Sequence, residues 1–358
     1  MKISLYLAIF GFALFTVATG GVSANECDGK TGDAQSCGDQ NFGQCDAPDG
    51  CCDWGSSSCA SGGCCDHKLA SWFDEGSSWT FRAGALALER SRPDSQVLMF
   101  DTAAPATALN AGDFDFGWRA GYEVSGILDR GCDTGLEIRW MSVDQWNANA
   151  SVATAGPTSV RINTAVPFFL PGVTQITSSY ESSLSSFELN YRKACSPCRT
   201  VFAGFRYLEI DEHFQANLDA ALLISTYDTE TQNRLYGFQV GVESSLLKQG
   251  CWSFDGTAKL GLFGNASAQN TTLDTGVVTI NSNDRSDRLT FLAELGVTGR
   301  RAINCNMDFM VGYNAMWVES ATLATDQVGA TDFFTGAGID DNGGVFYHGA
   351  FIGFEIRR

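Results

Sequence analysis

Hydrolytic chemistry would need a nucleophile, a general base or a bound metal, and this sequence of 358 residues offers few candidates for any of them. Its three histidines are His67, His213 and His348, and none has a nucleophile or carboxylate beside it at motif spacing. No G-x-S-x-G elbow, P-loop or H-E-x-x-H helix is present. His213 and the pair Asp340-Asp341 are the remaining candidates for acid–base work, and solvated loop residues are the simpler account of both. No run of alternating aspartates forms a calcium loop. Cys51-Cys52 and Cys64-Cys65-Asp66-His67 carry zinc-ligand side chains, but their spacing fits no standard finger. The sequence therefore predicts neither an enzyme nor a bound cofactor.

The cysteines are the second reactive set. There are thirteen, an odd number, so at least one thiol is left over or pairs between chains. Cys27, Cys37, Cys45, Cys51, Cys52, Cys59, Cys64 and Cys65 fall within residues 25–70, among Gly, Ser and Asp. Other apolar residues are scarce there, so this block cannot build a core of its own. Cys132, Cys195, Cys198, Cys251 and Cys305 each fall at a short turn further along. All thirteen are disulfide candidates. The N-terminal eight can form a local knot or be stapled to the turn cysteines, and Cys195 can pair with Cys198 around Ser196-Pro197. So many cysteines imply an oxidising compartment.

An exported chain needs a signal, and residues 1–24 supply one. Lys2 gives a positive start, Ile3 to Ala18 is almost wholly apolar, and Val22-Ser23-Ala24 is a small-residue cleavage site. After Ala24 no segment reaches the ~18 apolar residues of a spanning helix. The formal net charge of −18 repels phosphate, which excludes nucleic acid as a partner.

From residue 71 onward the pattern has period two. Phe114, Phe116, Trp118, Ala120, Tyr122 and Val124 alternate with Asp115, Gly117, Arg119, Gly121 and Glu123. Val201, Ala203, Phe205 and Tyr207 alternate with Gly204 and Arg206, and Leu289 to Val297 and Met307 to Trp317 repeat the theme. About ten strands of about 9–15 residues result, the length of tilted membrane-spanning strands. Long connections near 91–112, 147–182, 211–232, 265–287 and 319–344 alternate with short ones near 129–133, 194–199, 247–251 and 300–304. That asymmetry is typical of outer-membrane barrels, with short turns in the periplasm and long loops outside. The predicted fold is all-β: an up-and-down antiparallel transmembrane barrel of about ten strands, or twelve, over 71–358, preceded by the cysteine-rich irregular segment.

Charges opposite an apolar lipid face must point inward. The predicted lumen set is Arg82, Asp115, Arg119, Glu123, Glu137, Arg139, Glu188, Arg192, Arg206, Glu243, Asp255, Lys259 and Glu294. In so narrow a barrel these residues either fill the lumen with ion pairs or line a narrow hydrophilic channel.

The stretch Phe202-Ala203-Gly204-Phe205-Arg206-Tyr207-Leu208-Glu209 resembles a strand of the barrel family, named as porins, of planctomycete-type bacteria. Leu235-Tyr236-Gly237-Phe238-Gln239-Val240-Gly241 and Tyr347-His348-Gly349-Ala350-Phe351-Ile352-Gly353 are similar too. The resemblance spans 72–358 and implies an outer-membrane barrel and, by name only, a pore. Outer-membrane lipid, the barrel assembly machinery and small ions or solutes are the expected partners. The chain closes on Phe354-Glu355-Ile356-Arg357-Arg358 rather than on the terminal aromatic that this machinery reads in many barrels. The readings to be weighed are a narrow porin-like channel or structural membrane protein, a secreted soluble β-sandwich binding module, and a barrel enzyme. Continuous aromatic outer faces disfavour the sandwich, because a soluble protein would expose far too large an apolar patch.

Overall fold

The structure, a computed structural model, describes residues 77–358 apart from 107, 131, 132, 197, 221 and 222. The predicted signal peptide, the segment 25–70 with its eight cysteines, and Cys132 lie outside the described residues.

Among the described residues twelve strands form one antiparallel sheet. They are β1 (Ser78–Arg90), β2 (Val97–Asp101), β3 (Ala108–Asn110), β4 (Arg119–Arg130), β5 (Thr134–Ile162) and β6 (Phe168–Ser196). They continue with β7 (Arg199–Ala220), β8 (Ile224–Gln249), β9 (Trp252–Asp274), β10 (Thr279–Asn304), β11 (Met307–Ala321) and β12 (Gly343–Arg357). Neighbours in sequence pair up and down, and β1 pairs with β12 to close the ring. β2 and β3 stand aside as a small hairpin on the far end of β5, where Met99 faces Ile162. The ring itself therefore has ten members, β1 and β4–β12.

At one end of the barrel the links are short, from β4 to β5, β6 to β7, β8 to β9 and β10 to β11. At the other end the strands run on. β5 and β6 have 29 residues each and β8 and β10 have 26, beyond what a membrane requires. Three of the predicted long loops are therefore mostly strand: within 147–182 only 163–167 lies outside β5 and β6, within 211–232 β7 runs to Ala220 and β8 starts at Ile224, and within 265–287 only 275–278 lies outside β9 and β10. Only 91–118 and 322–342 remain as long connections.

The strands run on unnoticed because the apolar face changes sides along each of them. On β7 Val201, Ala203, Phe205 and Tyr207 face outward, whereas Leu208, Ile210, Phe214, Ala216 and Leu218 are buried inside. On β8 Phe238 and Val240 are exposed at 76% and 58%, yet Leu235 and Tyr227 are fully buried. On β10 the outward apolar run ends at Leu289 and the inward one begins at Leu292, and on β11 the change falls between Trp317 and Val318. On the short-turn side of this level the outer face is apolar and the inner face charged. Beyond it the inner face turns largely apolar, with buried Thr229, Thr231, Asn233 and Gln269 among the apolar side chains, and the outer face carries Glu209, Asp211 and His213.

Two aromatic rows border the outward apolar band, as they do in membrane barrels. Trp79–Phe81, Trp252–Phe254 and Phe309–Phe354 pack near the tight turns. Trp140–Phe187, Tyr207–Tyr236 and Trp317–Phe346 pack near the switch level. Each of the three recurring motifs contributes a glycine to the ladder, Gly204, Gly237 and Gly349. A Cβ on them would collide with the backbone carbonyls of Leu189, Leu262 and Ala87 respectively. The motifs thus encode close strand crossings.

The switch also corrects one predicted site residue. Phe114 and Phe116 precede β4 and belong to the far core, where both are fully buried. Asp115 between them therefore points out and pairs with Arg92 on an exposed surface. It is not a lumen residue.

Candidate functional site

The candidate site is the lumen. Inward positions alternate with lipid-facing ones, so each strand contributes a charge every second or fourth residue. Just on the tight-turn side of the switch level Glu188 of β6 is the hub. It accepts Lys259 Nζ at 2.9 Å and Gln239 Nε2 at 2.7 Å, with Arg139 Nη1 at 3.4 Å and Arg206 Nη1 at 3.6 Å. Glu294 of β10 binds the same cations, Arg206 at 2.8 Å, Lys259 at 3.1 Å and Arg139 at 3.2 Å. Glu123 takes the other arm of Arg139 at 2.6 Å. Three cations thus face three carboxylates. Glu188, Arg206 and Lys259 are almost fully buried, where an unpaired charge would cost several kcal/mol, about 3–5 for a broken pair.

Towards the tight turns lies a second, more open layer. Arg192 joins Glu137 at 2.8 Å to Glu243 at 2.6 Å, and Arg300 joins Glu243 at 2.8 Å to Asp255 at 2.6 Å. Arg82 donates to Glu355 at 2.7 Å, and Arg357 pairs with Glu355 and Asp308. A cavity of about 280 Å³ opens here between Glu243, Asp255, Arg300 and Glu355 and the turn residues Cys198 and Cys251. A smaller one of about 70 Å³ lies deeper, among Arg82, Glu123, Arg139 and Lys259.

Of the thirteen predicted lumen charges, eleven lie in these two layers. Asp115 is outside, as described above. Arg119 heads β4 on the inward side but is bound to the Gln145 carbonyl at the exposed strand end, away from both layers. The predicted set omits Arg300, and also Asp308, Glu355 and Arg357, although alternation with Phe309 and Phe354 already turns these three away from the apolar face. It also missed Arg90.

Above the switch level the lumen is closed. A layer of Leu86, Leu184, Leu208, Ile210, Leu235, Phe263 and Leu292 spans it. Next, Arg90 pairs with Glu212 while its guanidinium lies over the Phe116 and Tyr180 rings, at 4.5 and 5.2 Å. The β11–β12 connection then folds inward as a plug. Leu323, Ala324, Val328 and the single helical turn Gln327–Ala330 fill the mouth. Wall side chains hold it: Asn233 exchanges two hydrogen bonds with Thr322, at 2.8 and 2.7 Å. Glu212 accepts from Ala324 N at 2.9 Å, and Gln96 donates to the Thr325 carbonyl at 2.7 Å. In this plug Asp326 has its carboxyl pushed up to about 7, by burial first and then by Glu212, Asp340 and Asp94 around it.

The predicted catalytic candidates do not come together. His213 lies on the outer face beyond the membrane band, 2.9 Å from Asp228 and 3.9 Å from Glu181. Asp341 is engaged with Arg288 and Ser286 instead. His213, Asp228 and Glu230 could together offer ligand atoms within 4.8 Å of one another. All three are at least partly exposed on a polar surface, as solvated surface groups are. His348 sits in the outer aromatic row, bonded to the Tyr313 hydroxyl at 2.6 Å.

At the tight turns Cys198, Cys251 and Cys305 are disulfide-bonded, whereas Cys195 is a free, exposed thiol. Cys195 and Cys198 therefore do not pair with each other, contrary to one expectation.

The family model described as "Putative beta barrel porin-7 (BBP7)" matches residues 128–332, more than half of the chain and most of the ring. The chain belongs to this family. It is an outer-membrane β-barrel protein, consistent with the apolar band and the aromatic rows. No curated protein matches the chain. Among solved structures it is similar to the outer membrane protease OmpT from Escherichia coli, at 9% identity and a TM-score of 0.45, covering 79% of this chain and 97% of that one. It is also similar to the translocator domain of autotransporter NalP from Neisseria meningitidis, at 7% identity and a TM-score of 0.34, covering 78% and 87%. A Pseudomonas aeruginosa FadL homologue gives 8% identity and a TM-score of 0.24, covering 79% and 90%. At such identities and scores no activity carries over from any of them.

Proposed function

We propose that this member of the barrel porin family is an outer-membrane protein with a lumen closed at rest, and that it is not an enzyme. The observation that carries this reading is the stack across the barrel: paired charges, an apolar layer and an inward-folded plug held by wall side chains. Seven cations (Arg82, Arg139, Arg192, Arg206, Lys259, Arg300, Arg357) meet eight carboxylates (Glu123, Glu137, Glu188, Glu243, Asp255, Asp308, Glu294, Glu355). So near a balance leaves little excess field to draw ions of one sign. The separation of His213 from Asp340 and Asp341 supports the non-enzymatic reading. In this reading residues 1–24 direct export, the tight turns face the periplasm and the extended strands face outward. Membrane lipid and the assembly machinery are the partners of the apolar band.

A second reading, a gated pore, is favoured by one feature. The plug is a single connection held by hydrogen bonds, not a continuous sheet, so its displacement would uncover the far half of the lumen. Planar-bilayer recording separates the two readings. Wild-type protein of confirmed insertion is expected to be silent. Shortening 322–342 to a tight turn should give openings only if both the apolar layer and the charge layers can pass ions. Steady wild-type conductance would overturn the closed-lumen reading.

A further inference from the structure

The tight-turn rim carries three bonded sulfurs on three successive turns: Cys198 between β6 and β7, Cys251 between β8 and β9, and Cys305 between β10 and β11. Three sulfurs cannot all pair among themselves. At least one bond leaves the set, and Cys195 is free, so it does not receive that bond. The remaining cysteines of the chain are Cys132 and the eight between Cys27 and Cys65. Cys132 can take one bond at most.

The chain also delivers the eight to this rim. β1 begins at Ser78, which faces Asp129 beside the first tight turn, and Trp79 exchanges backbone hydrogen bonds with Arg358. Ten strands about 4.8 Å apart, tilted by about 40°, make a mouth about 20 Å across. The stretch from Cys65 to Ser78 can extend to about 40 Å, at about 3.3 Å per residue. It can therefore reach any point of the rim. Cys198 and Cys251 line the open vestibule itself, together with Glu243, Asp255, Arg300 and Glu355.

We propose that the segment 25–70 is tied to the tight-turn rim by at least one disulfide from Cys27–Cys65 to Cys198, Cys251 or Cys305. A block with so little apolar surface gains no position by burial, so covalent attachment is what places it. Each bond joins two thiols and releases two protons, its two electrons passing to a thiol–disulfide oxidant of the exporting compartment. The inference shares with the proposed function only the export of the chain and is independent of whether the lumen conducts.

Two measurements test it on the full chain. The first is proteolysis under non-reducing conditions, with free thiols blocked, followed by mass spectrometry. It should recover a peptide from 25–70 linked to one containing Cys198, Cys251 or Cys305. Bonds confined to Cys27–Cys65, with the rim cysteines linked only to one another and to Cys132, would overturn the proposal. The second places a specific protease site between residues 70 and 77. After cleavage the N-terminal fragment should stay with the folded barrel and leave it on reduction. In the variant Cys198→Ser/Cys251→Ser/Cys305→Ser it should leave without reductant. Release from the wild-type barrel without reductant would refute the tether even if the triple variant does not fold.

Discussion

Glu188 is the residue whose loss should be felt most. Glu188→Gln keeps the shape and the hydrogen bond from Gln239 but removes the charge from a side chain that is 1% exposed. Arg139, Arg206 and Lys259 would then face only Glu123 and Glu294, leaving one buried positive charge in excess. Breaking a buried pair in this way costs about 3–5 kcal/mol. At about 1.4 kcal/mol per tenfold, the folding equilibrium falls by about two to three and a half orders of magnitude. Adding Lys259→Met restores the balance with an apolar chain of similar length, and should recover most of the loss, because buried pairs replaced whole are often neutral. Urea titration in lipid reads both variants, with gel mobility before and after boiling as the folded-state signal. If Glu188→Gln unfolds at the wild-type urea concentration, or if Lys259→Met deepens the loss, the charge layer is not the coupled unit described. Removing the exposed Arg92–Asp115 pair is the control and should change nothing measurable.

Three further outcomes are expected. Phe238→Arg should impair assembly by about 2–4 kcal/mol, whereas Gln232→Arg, on the same face of β8 beyond the band, should be tolerated; the folded fraction after refolding into vesicles decides. Because the Asp326 carboxyl is raised to about 7, the plug is held fully while that group is protonated, below its ordinary value near 3.8, and the hold weakens as pH rises through about 7. Hydrogen exchange at 322–331, corrected for intrinsic rates, should therefore be faster at pH 8 than at pH 5, and Asp326→Asn should abolish the difference. A membrane-impermeant maleimide should label Cys195 only after the outer membrane is permeabilised, whereas an epitope at 275–278 should be reached on intact cells.

The barrel was legible in the sequence because lipid imposes an apolar face every second residue, as Val201 to Tyr207 and Leu289 to Val297 display. The far half was not. There water lies outside and the core inside, so the same strand continues with its apolar positions shifted by one. Leu208 and Ile210 after Tyr207 look like the end of an alternation rather than its continuation in the opposite phase. The same shift misplaces Asp115, since strict alternation puts Phe114 and Phe116 on the side of Trp118. Most of the charge layers could be read from β-phase alone. Their partners could not, because Glu188 meets Lys259, 71 residues away, and Arg206 meets Glu294, 88 residues away, only when the ring closes. The plug carries no periodic signal at all; Asn233, Glu212 and Gln96 define it from the wall.

The change of apolar side has a consequence for where this protein can reside. It works as a depth gauge cut into every strand, because below it only lipid satisfies the exterior and above it only water does. On β10 the lipid-facing run from Leu289 to Val297 covers nine residues. At about 3.3 Å each and a tilt of about 40°, that run matches a hydrocarbon layer about 23 Å thick. Sliding the barrel by one pleat would sink Asp287 into acyl chains in one direction or lift Leu289 into water in the other, so the chain resists displacement both ways. A bilayer of average thickness, about 30 Å, would have to thin locally around it, whereas the bacterial outer membrane is thinner than average.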